Sequence, residues 1–82
     1  MLDFVKYCYE VTEENKDTLR QMMEREDIRY YSGDKLDLDL ILQVGHVLGN
    51  NDYTQNPKQT GYWESKDYVP TVYLKRVITD IK

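Results

Sequence analysis

The sequence predicts a small α+β domain with a sheet of three to four strands, one main amphipathic helix at 12–26 and a second helix at 37–48. Three observations support this fold class. The 82 residues leave room for a single domain, 1–82. Residues 4–33 follow the order strand, helix, strand and tight turn, and they hold the clearest periodicity of the chain. β-branched and aromatic residues then return in the last third.

The first element is a strand predicted at residues 3–10, DFVKYCYE, where β-favouring side chains alternate. Bulky side chains fall on both faces, so we expect the strand to be covered at least partly on each side. Cys8 is the only cysteine, which excludes an internal disulfide. We interpret it as a small buried apolar residue, because no adjacent histidine or basic cluster is present to activate the thiol.

The main helix is predicted to begin at Thr12, whose hydroxyl can accept a hydrogen bond from a backbone N–H of the first turn. Glu13 and Glu14 follow where the helix dipole favours negative charge. The apolar stripe that would face the sheet consists of Leu19, Met22 and Met23. Packing against the sheet is our interpretation of this stripe, with an adaptable methionine contact surface as the alternative.

After the helix, residues 28–31 return to strand types and Ser32–Asp34 form a turn in which Gly33 can supply a positive φ. The next segment, 35–49, is ambiguous, because its leucines alternate with aspartates as in a strand and yet also fit helical spacing. Its length favours the helix at 37–48, with Asp37 as the cap. Gly45 inside it disfavours a helix by about 1 kcal/mol relative to alanine.

The remaining chain begins with a polar loop at 50–61 that has almost nothing to bury and is therefore a candidate functional or mobile segment. Residues 62–64 are predicted to form a short strand, followed by a turn at 65–67. The segment 70–81 is rich in β-branched residues and is predicted as a strand. A helix beginning at Pro70 fits the same segment.

The sequence carries no catalytic or metal signature, so we predict no enzyme, no cofactor and no metal site. His46 is the only histidine, and no cysteine pair accompanies it to build a zinc site. The serines lie in turns without the glycine-flanked elbow of a nucleophile. The acidic residues Asp34, Asp37 and Asp39 lack the spacing of a calcium-binding loop, and we interpret them as a helix cap and surface charges.

Charge and segment lengths limit the classes of partner and the compartment. Eleven basic residues scattered among fifteen acidic ones give a net charge of −4, which argues against nucleic-acid binding as the main activity. The first residues lack the basic start and long apolar run of a signal peptide, and no segment has the apolar length to cross a bilayer. We therefore expect a cytoplasmic protein with no membrane partner.

Tyrosine enrichment is the most unusual compositional feature, with eight tyrosines against one phenylalanine and one tryptophan. Tyrosine and tryptophan anchor protein interfaces because they bury a large area at low entropic cost. The partner-binding residues that we predict are Tyr53, Tyr62, Trp63 and Tyr68, together with the loop at 50–61. The alternative is that several of these rings complete a core too small to be built from aliphatic residues alone.

The segments EVTEEN and IRYYSGDKL, within residues 4–36, carry the one resemblance that we identify. This order of strand, acidic-capped helix, strand and Ser-Gly turn resembles small accessory or early proteins of tailed bacteriophages. The resemblance implies a short cytoplasmic host-takeover protein that binds and inhibits a host enzyme, a defence nuclease or a transcription component. Residues 37–82 carry no such resemblance.

Three functions follow as hypotheses. The first is a non-enzymatic protein-interaction module, a phage-encoded inhibitor or modulator of a bacterial host protein. The second is a nucleic-acid or nucleotide binder that stacks bases on aromatic rings and contacts phosphates through basic side chains. Those basic residues are Lys58, Lys66, Lys75 and Arg76. The third is an acidic DNA mimic. A homodimer is also plausible, because a second copy would add buried area to a small core.

Overall fold

The structure, a computed structural model, describes residues 1–81 and shows the small α+β fold that the sequence predicts, with a four-stranded mixed sheet and three helices. The strands are β1 Cys8–Glu10, β2 Val47–Gly49, β3 Gly61–Trp63 and β4 Val77–Ile78. The helices are α1 Lys16–Arg25, α2 Leu38–Ile41 and α3 Thr71–Leu74, with a 3₁₀ helix at Lys66–Tyr68 before α3. Within residues 1–81, none of these helices has the length and apolar character needed to span a membrane.

The strand order in the sheet is β3-β2-β1-β4. β1 is central, since it pairs antiparallel with β2 and parallel with β4. β3 pairs antiparallel with β2 and forms one edge, and β4 forms the other. The sheet therefore joins a strand near the start of the chain to one near its end.

Two apolar clusters cover the two faces of this sheet. The larger contains the predicted stripe of α1 and side chains from the sheet and from α2; its buried members are Leu2, Phe4, Tyr9, Val11, Leu19, Met22, Met23, Ile28, Ile41, Leu42 and Leu48. The smaller lies on the opposite face and buries Cys8, Val47 and Val69. The apolar stripe of α1 is thus buried in the core, as predicted, and Cys8 is also buried, as predicted.

α1 begins at Lys16, later than the predicted start of the 12–26 helix, because Thr12 and Asn15 form a reciprocal pair of hydrogen bonds before it. Thr12 Oγ1 accepts from the backbone N–H of Asn15 at 3.1 Å, and Asn15 Oδ1 accepts from the N–H of Thr12 at 2.8 Å. The Thr12 hydroxyl thus accepts from the N–H of Asn15, the residue before α1, and not from an N–H of the first turn as predicted. The pair holds residues 12–15 in a turn that precedes the helix.

Two predicted strands are shorter than expected. In the segment 3–10, the Asp3 carboxylate accepts from the backbone N–H groups of Val5 and Lys6, at 3.0 and 3.1 Å. These bonds bend the chain into a turn, so that extended backbone begins only at Cys8. In the segment 28–31, pairing is limited to isolated bridges from Arg29 to Lys35 and to Gln59.

The predicted helix at 37–48 is wrong beyond its first turn. Asp37 does cap a helix, with its carboxylate accepting from the N–H of Leu40 at 3.2 Å, but α2 ends at Ile41. Gly45 has a φ of +97° and its N–H bonds to the carbonyl of Val11, which turns the chain into β2. Pairing with β1 thus decides between the helical and the strand pattern, both of which the sequence of this segment fits.

The C-terminal third follows the predictions in part. The loop predicted at 50–61 is present as irregular backbone at residues 50–60. The strand predicted at 62–64 is present as β3. The turn at 65–67 is a 3₁₀ helix whose first turn is capped by Ser65, with its hydroxyl accepting from the N–H of Asp67 at 3.1 Å. The single strand predicted at 70–81 is instead α3, which follows Pro70, and then the two-residue β4.

Candidate protein-interaction surface

The sheet face opposite α1 is covered by a thin layer of aromatic side chains rather than by a long helix. Its floor includes Cys8 and Val47, and Val69 closes over them. Trp63 and Tyr73 pack on this cluster as partly buried side chains, with their ring centroids 6.2 Å apart and an interplanar angle of 29°. This layer leaves aromatic surface exposed next to a small apolar core.

Two glycines make room for this layer. A Cβ at Gly61 would overlap the hydroxyl and ring of Tyr31, and a Cβ at Gly49 would lie 2.8 Å from Cys8 Sγ and 3.0 Å from Trp63 Cζ3. Without side chains there, Tyr31 lies directly over β3 and its hydroxyl donates to the carbonyl of Gly49 at 3.3 Å. The two small residues therefore fix where Tyr31 and Trp63 can sit.

Tyr53 lies on Tyr31, with ring centroids 4.9 Å apart and an interplanar angle of 35°, and is itself 77% exposed. Buried Asn50 holds its loop: Oδ1 accepts from the N–H of Asp52 at 3.0 Å, and Nδ2 donates to the carbonyl of Thr54 at 3.3 Å. Asn51 and Asp52 adopt φ values of +55° and +53°, a conformation that asparagine and aspartate tolerate better than most residues. The Tyr53 ring is thus exposed on an ordered loop.

An ion pair ties this loop to the start of β4. Arg76 Nη1 lies 2.9 Å from Asp52 Oδ1 and 3.3 Å from the carbonyl oxygen of Val5, to which it donates. The guanidinium carbon is also 5.0 Å from the centroid of the Tyr73 ring. Arg76 therefore holds together the loop, the N-terminal turn and the aromatic layer.

Hydrogen bonding from Arg76 holds the pKa of Asp52 below its ordinary value, with a smaller contribution from Tyr73. Burial raises the pKa of Tyr73, and the Asp52 carboxylate raises it further. Because the folded pKa of Asp52 is lowered, its contribution to stability is present above the ordinary aspartate pKa of about 3.9 and is lost as the pH falls through the folded value.

We therefore predict that Asp52→Asn lowers the unfolding temperature at neutral pH by a small amount, because the pair is partly exposed. The difference from the wild type should shrink as the pH falls below about 3.9, when the wild-type carboxyl is also protonated. Thermal unfolding followed by circular dichroism from neutral to acid pH measures this difference in unfolding temperature. A difference that is the same at every pH would contradict a charge-dependent contribution.

The predicted binding residues do not lie on one face. Trp63 and Tyr62 are neighbours on β3 and point to opposite sides. Trp63 joins the aromatic layer, and Tyr62 packs on the α1 side, where its ring stacks on His46 at 5.2 Å and 20°. Tyr53 lies on Tyr31, which packs over Gly61 on the same face of β3 as Trp63. Tyr68, 69% exposed, lies on the 3₁₀ helix. We call Tyr31, Tyr53, Trp63 and Tyr73 the tyrosine surface.

The predicted binding residues did not include Tyr31 and Tyr73, whereas Asp52 lies within the predicted loop at 50–61. Residues 28–31 were predicted only as a strand, in which Tyr30 and Tyr31 would point to opposite faces, and the side chain over β3 is Tyr31. Arg76 was considered only as a phosphate contact, whereas in the structure it is paired with Asp52. The one available signal was Gly61, whose missing side chain permits a close approach, although the sequence does not say by which residue.

The other candidate groups have structural roles. His46 Nδ1 lies 3.1 Å from the carbonyl oxygen of Ile41, within the turn that leads to β2. Burial raises the pKa of the Cys8 thiol, which favours the unreactive protonated form. Asp37 caps α2, and Asp39 pairs with Arg20 at 2.9 Å. Across residues 1–81, no group of three or more histidine, cysteine, aspartate or glutamate side chains is placed to hold a metal ion.

Comparisons with protein-family models, with curated proteins and with solved structures found no match for this chain.

Proposed function

We propose that this protein is a non-enzymatic protein-interaction module that binds its partner through the tyrosine surface. The observation that carries the proposal is the Tyr31–Tyr53 pair. One ring is fixed over Gly61, and the other lies on it with most of its area in solvent. An exposed aromatic side chain on an ordered loop loses little conformational entropy on binding, which is the property of an interface anchor.

The partner that we propose is a bacterial host protein in the cytoplasm, with this chain acting as a phage-encoded inhibitor or modulator. Two features support this choice. Residues 4–36 resemble small accessory proteins of tailed phages, and the chain is short and acidic, with a net charge of −4. A small acidic protein with an aromatic contact surface suits a larger partner that has a basic rim around an apolar pocket.

Tyr53→Ala is predicted to reduce partner binding by about tenfold or more, in line with the loss of an aromatic hot spot. The fold should be retained, because the ring is exposed and the loop is held by Asn50 and not by Tyr53. The measurement is capture of partners by the tagged protein from nuclease-treated bacterial lysate, followed by titration of the captured protein. Tyr7→Ala is the matched control, since Tyr7 is also exposed and contacts Tyr9 away from the tyrosine surface.

One partner captured at near-stoichiometric yield by the wild type and by Tyr7→Ala, but lost with Tyr53→Ala, would support the proposal. Equal capture by folded Tyr53→Ala would exclude the tyrosine surface as the binding site. Capture of nothing by the wild type would count against the protein-interaction function itself.

Nucleic-acid binding by stacking has weaker support, although Tyr53 offers an exposed ring. Of the basic residues assigned to phosphate contacts, Arg76 is neutralised by Asp52 and Lys66 lies 3.5 Å from a carboxylate oxygen of Glu10. Base stacking would need a positively charged path beside the ring. A flat titration with single-stranded DNA and RNA at low salt would remove this alternative.

A further inference from the structure

Within residues 1–81, no strand pairs with the outer edge of β4. β4 is the last strand in the order β3-β2-β1-β4 and pairs with β1 alone. Cys8 is opposite Val77, and the Cys8 N–H donates to the carbonyl of Arg76 at 2.9 Å. In a parallel pair with this register, the carbonyl of Arg76 and the backbone groups of Ile78 point at β1, while the Arg76 N–H donates to the carbonyl of Tyr73. The N–H and C=O of Val77 therefore point outward, away from the sheet.

A groove of about 680 Å³ runs beside this edge. Leu74 and Val77 give it an apolar floor, and Glu10, Asp67 and Asp80 contribute carboxylates. Among the described residues that line it, Lys66 is the basic one, and its Nζ lies 3.5 Å from Glu10 Oε1. The groove thus combines an open strand edge, apolar side chains and the Asp67 carboxylate beside the Glu10–Lys66 pair.

We propose that this edge binds an extended, basic segment of another protein, which adds to β4 as a fifth strand. Strand addition uses backbone hydrogen bonds for affinity and neighbouring side-chain pockets for specificity. Here the outward groups of Val77 supply the hydrogen bonds, and the groove carboxylates select lysine or arginine side chains. Because β4 has only two residues, the groove contributes a large share of the binding and the complex exchanges quickly.

A second copy of this chain fits the edge less well than a basic partner does. Each copy carries a net charge of −4, and edge-to-edge pairing would bring the carboxylates of two grooves together. This site goes beyond the tyrosine surface. Val77 packs on the same cluster as Trp63 and Tyr73, but its outward backbone groups lie along β4, whereas the Tyr31–Tyr53 pair is placed over the opposite edge strand, β3. The two sites can therefore be tested separately.

The probe is a short peptide in which lysine alternates with valine and threonine, titrated into the ¹⁵N-labelled full chain at low salt. We expect saturable shifts of the amide signals of Val77 and Thr79. The same peptide methylated on alternate backbone nitrogens keeps its charge but loses hydrogen bonding, and should bind about tenfold more weakly. A peptide with glutamate in place of lysine should also bind more weakly, because it meets the groove carboxylates.

Val77→Pro removes the outward N–H without removing a donor to β1, and should also weaken binding of the lysine peptide about tenfold. Val77→Thr is its matched control, with a β-branched side chain and an intact N–H, and should bind as the wild type does. If Val77→Pro does not fold, the methylated peptide still tests the proposal.

Strand addition is overturned if the lysine peptide produces no shifts, or if methylated and unmethylated peptides bind equally. It is also overturned if the shifts lie at the tyrosine surface and not at β4. A rise in mass to that of a dimer without peptide, abolished by Val77→Pro but not by Tyr53→Ala, would assign the edge to a second copy instead.

Discussion

Phe4→Ala is expected to lower the free energy of unfolding by about 3–5 kcal/mol, which is enough to unfold a large fraction of a domain of this size. Phe4 is 1% exposed and meets Tyr9 edge to face, with centroids 5.1 Å apart. Its backbone N–H also donates to the carbonyl of Pro57 at 3.0 Å, which ties the N-terminal turn to the long loop. Removing the ring leaves a cavity in the larger core and loosens that tie.

Urea unfolding followed by circular dichroism measures this loss. Tyr7→Ala is the control, because Tyr7 also contacts Tyr9, at 6.2 Å between centroids, but is partly in solvent. We expect it to lose much less stability than Phe4→Ala. The burial of Phe4 indicates that the core depends on its ring. Similar losses of stability for both variants would contradict this.

Asn15→Ala is the second large effect, with an expected loss of about 2–4 kcal/mol, since each buried polar group left unpaired costs about 1–3 kcal/mol. Asn15 is 6% exposed, and its Nδ2 donates to the carbonyls of Glu10 and Thr79 at 2.8 and 3.0 Å. Its Oδ1 accepts from the N–H of Thr12. One amide thus joins the end of β1, the start of α1 and the residue after β4.

Asn15→Asp separates the hydrogen bonds from side-chain volume. The new carboxylate would face two carbonyl oxygens, so burial and repulsion favour its protonated form. A pKa raised by folding means that stability is greatest below the ordinary aspartate pKa of about 3.9 and is lost as the pH rises. Relative to the wild type, the variant should be least stable at neutral pH. Asn56→Asp, at an exposed amide, is the control and should show no such trend.

Local pattern was sufficient to predict part of the fold. The spacing of Leu19, Met22 and Met23 defines one face of a helix whatever it packs on, and that face is buried. The strand at Tyr62 and Trp63 was equally local, since it follows a glycine and consists of β-favouring residues. The small α+β class with one long helix followed from such signals, whereas β2 did not, and the strand predicted at 28–31 lies outside the sheet.

What could not be predicted depends on residues that are far apart in the sequence. Residues 37–48 alone do not indicate that Val47 and Leu48 pair with β1. Helical spacing therefore fitted this segment as well as strand alternation did. Asn15 looks like an ordinary helix-start residue until Thr79 is placed beside it. The tyrosine surface depends in the same way on Tyr31 meeting Gly61.

The parallel pairing of β1 with β4 also sets the order in which the sheet can be completed. Cys8 meets Val77 about 70 residues further along the chain, and closing a loop of that length costs about 4 kcal/mol of chain entropy. Only two residues of β4 form the ladder that must offset this cost. The β2–β3 pairing closes a much shorter loop, so this half of the sheet can assemble locally. The β1–β4 half is completed only when the two ends of the chain meet.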